Sequence, residues 1–295
     1  MNYIILLGCI VSTAFGTISV PVTRIKGFQT AITDTQKMYE DYHRERLSDL
    51  FTDLPINLTN NNNLAYAGPL YFGTPLQLEG ITDRSFIYDS GSGWLTVTGS
   101  DCSSCSDGYK MYDPANSTTS QEVISATTEL DYGSAKLYGS TYSDRVCLTD
   151  DGSECVSDFE FFKIDRETGL QGLDGILGLS PDYDQNGPSF MGAMKSAGLI
   201  DKEVATFWIN DGETASSYVT FGGVIDGSTT GKTYELSLDK ANKTWWTVDL
   251  NKSVIFGLEL TNTPKAIIDT GTSFLAISST AYAHFENEMA GVPGV

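Results

Sequence analysis

The chain has 295 residues, with 18 Lys or Arg against 38 Asp or Glu and a formal charge of −20. That length suffices for two folded lobes, and that charge repels phosphate backbones and anionic lipid, so nucleic acid is not an expected partner. With 29 Gly, 11% aromatic and 19% charged residues, the chain holds too many core formers to be disordered and favours strands joined by turns.

From the N-terminus, Tyr3 to Phe15 is an apolar run ending in Ala14-Phe15-Gly16. Small residues there suit signal-peptidase cleavage, so residues 1–16 read as a signal peptide, with a buried N-terminal strand as the alternative. The run is too short to span a bilayer, and no later stretch is long and apolar enough. Losing it removes Cys9 and leaves Cys102, Cys105, Cys147 and Cys155, an even number that suits an oxidising compartment. Three pairings can be drawn. Closeness in sequence favours Cys102 with Cys105 and Cys147 with Cys155 over a zinc site, which normally wants His or tighter spacing. Sequons at Asn57, Asn116, Asn242 and Asn251 are compatible with glycosylation in the secretory pathway.

Residues 1–60 hold five Lys or Arg and six Asp or Glu, so nearly all the negative charge falls on the remainder. Within this leader Met38, Tyr42, Leu47 and Leu50 recur near helical spacing between Thr35 and Phe51, and an Asn run at 60–63 separates them from the rest of the chain. Short apolar runs then alternate with Gly, Asn and Ser clusters, the pattern of an all-β fold. One helix is expected around Phe190 to Leu199, with Met191, Met194 and Leu199 on one face. The two histidines, His43 and His284, lie far from any Ser or Cys in a nucleophile-like setting, which speaks against Ser/His/Asp and Cys/His catalysis.

An internal repeat is the most informative feature. Phe86-Ile87-Tyr88-Asp89-Ser90-Gly91-Ser92 and Ala266-Ile267-Ile268-Asp269-Thr270-Gly271-Thr272 each run an apolar strand into Asp, hydroxyl, Gly, hydroxyl, with the aspartates 180 residues apart. The Gly permits a tight turn at the strand end, and the hydroxyls can hold the carboxylate by hydrogen bonds. If the copies meet, two carboxylates about 3 Å apart repel by roughly 5 kcal/mol at an effective dielectric near 20. They must then share one proton, leaving one group as base to a water and the other as acid to a carbonyl oxygen.

On these residues the sequence resembles the pepsin-like aspartic proteases. The likeness begins at Tyr66-Ala67-Gly68-Pro69-Leu70, continues through Gly73-Thr74-Pro75-Leu76-Gln77, and includes Tyr132-Gly133-Ser134, Asp174-Gly175-Ile176-Leu177-Gly178-Leu179, Phe221-Gly222-Gly223 and Trp246-x-Val248-x-Leu250. It covers about residues 64 to 285. The resemblance implies an all-β, bilobal fold with pseudo-twofold related lobes: an N-terminal lobe over 63–227 and a partial C-terminal lobe over 228–295, preceded by an activation segment at 17–62. It implies Asp89 and Asp269 as the catalytic dyad, supported by Ser90, Gly91, Ser92, Thr270, Gly271 and Thr272. Tyr132, Gly133 and Ser134 become the substrate-covering flap. The implied activity is hydrolysis of protein or peptide substrates at acid pH by a monomer without metal or cofactor, secreted or held in an acidic vesicle.

Three departures from the family pattern carry expectations of their own. The stretch from Gln77 to Asp89 is about five residues longer than usual. Thr96 stands where the family places a Trp, which leaves the flap tyrosine without its usual tryptophan partner. Ala135 replaces a flap glycine. By the chain's own symmetry the duplicate of Ile176-Leu177-Gly178 falls near position 358, beyond Val295, so the second lobe is expected to be truncated. Rival readings are a secreted peptide-binding relative that is weak or inactive as an enzyme, a paired-carboxylate glycosidase, and calcium binding at Asp182-x-Asp184-x-Asn186-Gly187. The last lacks the Glu expected at its twelfth position, occupied here by Ala193.

Overall fold

The computed structural model describes residues 3–7, 54–61, 65–77, 86–105, 112–133, 135–170, 173–181, 187–209, 217–224, 234–239, 244–250, 253–255, 258–260 and 264–289. The expected leader helix at 35–51, the lengthened stretch at 78–85, flap residue Ser134 and the acidic loop at 182–186 lie outside the described residues.

The fold is mostly β. Twelve strands form one large sheet: β1 (Tyr3–Leu7), β2 (Leu54–Asn61), β3 (Ala65–Gly68), β4 (Tyr71–Phe72), β5 (Phe86–Asp89), β6 (Leu95–Thr98), β7 (Gln121–Asp131), β8 (Lys136–Cys147), β9 (Cys155–Thr168), β10 (Gly175–Gly178), β11 (Val204–Trp208) and β12 (Ser217–Phe221). Their order is β1-β11-β12-β2-β3-β5-β10-β6-β9-β8-β4, with β7 paired to β8. Tyr3–Leu7 lies parallel to β11. Leu54–Asn61, at the end of the expected leader, pairs along residues 54–58 with β12 and along residues 59–61 with β3.

Many of the apolar residues that the sequence spaces along short strands converge on one main core. The rings of Phe72, Tyr112 and Phe161 meet in tilted and edge-on contacts at 5.1–5.7 Å, the geometry aromatic quadrupoles favour. Buried within it, Asp144 accepts from the Tyr112 hydroxyl at 2.8 Å, the Thr119 hydroxyl at 2.5 Å and the Arg145 N–H at 2.8 Å. A buried carboxylate is tolerated when its oxygens are hydrogen-bonded in this way.

Both favoured disulfides are present. Cys147–Cys155 joins facing positions of β8 and β9. Cys102–Cys105 closes a loop docked on β9 through bonds from Ser103 N to Asp165 O and Ser104 Oγ to Glu167 O.

The expected helix is α1 (Phe190–Ser196). The Ser189 hydroxyl caps it by accepting from Gly192 N, and Phe190, Met191 and Met194 are buried. It stops before Leu199 because Gly198, at φ +76, turns the chain so that its own N–H reaches Lys195 O and that of Leu199 reaches Met194 O. Beyond β12, β13 (Thr247–Asp249) pairs with β16 (Lys265–Ile267), β14 (Ser253–Ile255) pairs with β15 (Leu258–Leu260), and α2 (Ser279–Met289) comes last. Among the described residues no helix is long and apolar enough to cross a membrane.

Candidate active site

Asp89 ends β5, which runs between antiparallel β3 and parallel β10. Backbone pairing on both sides fixes where its carboxyl emerges. Leu179 N donates to Asp89 O at 2.8 Å, and Ser180 N donates to Ser92 O at 2.9 Å, tying the turn to the end of β10. Gly178 allows this approach, since a Cβ there would overlap the Gly93 backbone. Asp269 comes after β16, whose only strand partner among the described residues is β13.

The two Asp loops meet with matching contacts. Ser90 N donates to Thr270 Oγ1 at 3.0 Å, and Thr270 N donates to Ser90 Oγ at 2.9 Å. In turn Ser90 Oγ donates to Ile268 O at 2.9 Å, and Thr270 Oγ1 donates to Tyr88 O at 2.6 Å. Each contact from one loop thus has its counterpart from the other, a twofold pattern across 180 residues of sequence. The carboxylates are held in the same way: Gly91 N donates to Asp89 Oδ1 at 2.8 Å and Ser92 Oγ to Asp89 Oδ2 at 2.5 Å. Gly271 N donates to Asp269 Oδ1 at 2.8 Å and Thr272 Oγ1 to Asp269 Oδ2 at 2.6 Å.

The two carboxyls are not equally buried. Asp89 is 7% exposed while Asp269 is half-buried. Burial pushes the Asp89 carboxyl up to about 7; the Ser92 hydroxyl and the Gly91 N–H act against the shift, and the neighbouring Asp269 charge and its hydrogen bond act with it. A carboxyl that keeps its proton towards neutrality beside a second carboxyl is equipped for proton transfer to and from a bound group.

The β7–β8 hairpin carries Tyr132 and Gly133, which the sequence places in an expected flap. Its tip closes through Tyr132 N to Ala135 O at 2.8 Å and Gly133 N to Asp131 Oδ1 at 2.8 Å, with Gly133 at φ +74. Tyr132 packs into a small cluster with Leu137, Phe162, Ile176 and Trp94. Its hydroxyl is hydrogen-bonded to Ser92, and burial followed by the Asp89 charge pushes its ionisation up. Tyr132 therefore reaches Ser92 in place of a tryptophan. Thr96 is fully buried and accepts from Ile176 N at 3.0 Å, while Trp94, two residues earlier, supplies the indole that packs edge-on against Phe162.

One contact escapes the sequence altogether. Trp246, 1% exposed, donates from Nε1 to Leu179 O at 2.9 Å. Trp246 and Leu179 are 67 residues apart, and no periodicity or motif relates them.

Two duplicated Asp loops meeting face to face in a mostly β chain, under a tyrosine-bearing hairpin, define the aspartic-protease class of architecture. The family model for eukaryotic aspartyl proteases matches residues 65–293, and the chain belongs to that family. It is similar to pepsin A of Gallus gallus, 31% identical over 236 residues that cover 76% of this chain and 61% of the relative. It is likewise similar to vacuolar protease A of Aspergillus fumigatus, 32% identical over 245 residues covering 79% and 58%. Secreted aspartic protease 8 of Candida albicans is 25% identical over 235 residues covering 75% and 56%. The chain thus spans about three fifths of the length of these curated relatives.

Proposed function

We propose that the protein is an acid-active aspartic endopeptidase. The observation that carries this reading is the pair of carboxyls, each held by a glycine N–H on one oxygen and a hydroxyl on the other, and each lying against the glycine of the opposite loop. In the singly protonated dyad the ionised carboxylate takes a proton from water as its oxygen attacks the peptide carbonyl carbon. The protonated carboxyl gives its proton to the carbonyl oxygen, forming a neutral tetrahedral diol. Collapse of the diol breaks the C–N bond as a proton passes to the leaving nitrogen, releasing a carboxyl and an amine product. Tyr132 closes over the substrate, with Gly133 and Ser134 as its partners in the flap. The substrates are proteins or peptides, the protein acts as a monomer, and its route is the secretory pathway to the outside or to an acidic vesicle. The similarity to a vacuolar protease and to a secreted aspartic protease supports that route.

Residues 1–16 are proposed as the signal peptide, 17–62 as the activation segment, 63–227 as the N-terminal lobe and 228–295 as part of the C-terminal lobe. Asp89→Asn and Asp269→Asn are each expected to lower peptide hydrolysis at about pH 4 by at least about a thousandfold while leaving far-UV circular dichroism unchanged, as for groups that act as a unit. A statine-type tetrahedral mimic is expected to bind the unaltered protein at least about a hundredfold tighter than the matching peptide. Equal affinity for the two would favour a binding-only relative, and near-normal turnover in either Asn variant would remove the assignment.

A further inference from the structure

Four hydrogen bonds connect the two Asp loops into a closed circuit through one tryptophan. Leu179 N donates to Asp89 O at 2.8 Å, and Trp246 Nε1 donates to Leu179 O at 2.9 Å. Ile268 N donates to Trp246 O at 3.0 Å, and Ser90 Oγ donates to Ile268 O at 2.9 Å. Ser90 and Ile268 are the chain neighbours of Asp89 and Asp269, so the circuit returns to its start. Trp246 enters it twice, by side chain towards the first loop and by backbone towards the second.

We infer that Trp246 is a positioning residue for the dyad, its indole N–H setting the spacing of the Asp89 and Asp269 loops. Its indole N–H bonds Leu179 and its backbone carbonyl bonds Ile268, so it acts on the carboxyls through these neighbours. Trp246 sits in the main core with Leu179, with Ile268 packed against it, where a hydrogen bond is poorly replaced by water and its direction is retained. Cross-loop bonds join the two turns directly. Ser90 and Thr270 supply the bonds at the turn itself, and Trp246 supplies the one that reaches back to the end of β10.

This inference rests on the dyad reading, and its test separates the two. Trp246 is replaced by its benzothiophene isostere, which keeps the bicyclic shape and lacks the N–H, and separately by Trp246→Phe. Carbon-13 NMR titration of the aspartate side chains needs no catalysis, and kcat and KM are then measured with a peptide substrate. With the isostere, the upper titration step of the dyad is expected to fall by about half a pH unit or more as the carboxyls move apart. At the same time kcat drops about tenfold, the worth of one buried hydrogen bond, with KM within about twofold. An unshifted titration in the isostere protein overturns the role of Trp246 even if turnover changes. If the unaltered protein cleaves no peptide, the endopeptidase reading fails while the titration still decides the role of Trp246. Should Trp246→Phe fail to fold, the titration of the isostere protein alone decides the question.

Discussion

Gly271 lies so close to the Asp89 carboxyl that a single added Cβ would overlap it, and Gly91 stands in the same relation to Asp269. The glycines of the two motifs therefore do more than relax a turn. Each removes the atom that would keep the opposite carboxylate away.

Gly271→Ala and Gly91→Ala are expected to push the dyad apart. Misplacement of reacting groups by about 1 Å costs roughly a hundredfold in rate, and overpacking of a tight contact costs about 1–3 kcal/mol of stability. Steady-state kinetics and urea denaturation read the two effects. A Gly271→Ala protein with unchanged kcat would show that the carboxyls tolerate a wider gap.

Stability should fall as pH rises through the weakly acid range. Folded Asp89 holds its proton up to about pH 7, against an ordinary value of 3.8, so between those limits the folded chain binds more protons than the unfolded chain. Stability from this group is complete below about pH 4 and is lost as pH approaches about 7. The melting temperature of the unaltered protein is expected to decline from about pH 4 to about pH 7 more steeply than that of Asp89→Asn. Parallel curves for the two would contradict the buried, protonated Asp89.

Ser92 bonds both Asp89 and Tyr132, which separates two variants. The Ser92 hydroxyl favours the ionised form of Asp89, so Ser92→Ala should raise that carboxyl further and carry the alkaline limb of the kcat/KM profile to higher pH. Tyr132→Phe removes only the flap's bond to Ser92 and is expected to lower kcat/KM about tenfold or less, the range of one hydrogen bond. Tyr132→Ala removes the ring from its cluster and should cost more, chiefly in KM. Identical pH profiles for Ser92→Ala and the unaltered protein would refute the coupling.

Acidification should release the leader if it acts as an activation segment. Arg24 and Lys26 can hold it to a chain that carries nearly all the negative charge, and carboxylate protonation weakens that hold. Because β2 pairs with both β12 and β3, a cut ahead of Leu54 keeps β2 joined to the chain that follows, whereas one near residue 62 leaves it as a bound peptide. Intact-mass measurement after a shift to about pH 4 distinguishes these. A chain that stays uncut while fully active would end the activation-segment role.

The sequence by itself determined the family of this protein and the paired carboxylate loops on which its proposed chemistry rests. Two Asp-hydroxyl-Gly-hydroxyl motifs after apolar strands are local signals: strand, turn and carboxylate lie within seven residues, so the pattern needs no knowledge of distant contacts. The mostly β fold, the short-range disulfides and the helix at α1 were legible for the same reason, each being set by neighbours a few positions away. What only the tertiary structure decided is how the two loops are held and how unequal they are. The burial of Asp89 against the half-burial of Asp269, the turn of Tyr132 towards Ser92, and the bond from Trp246 to Leu179 join residues between 40 and 180 positions apart. Contacts at that range carry no periodicity. They are fixed by which strands the sheet places side by side, and burial, which sets the proton affinity of the dyad, is a property of the packed whole.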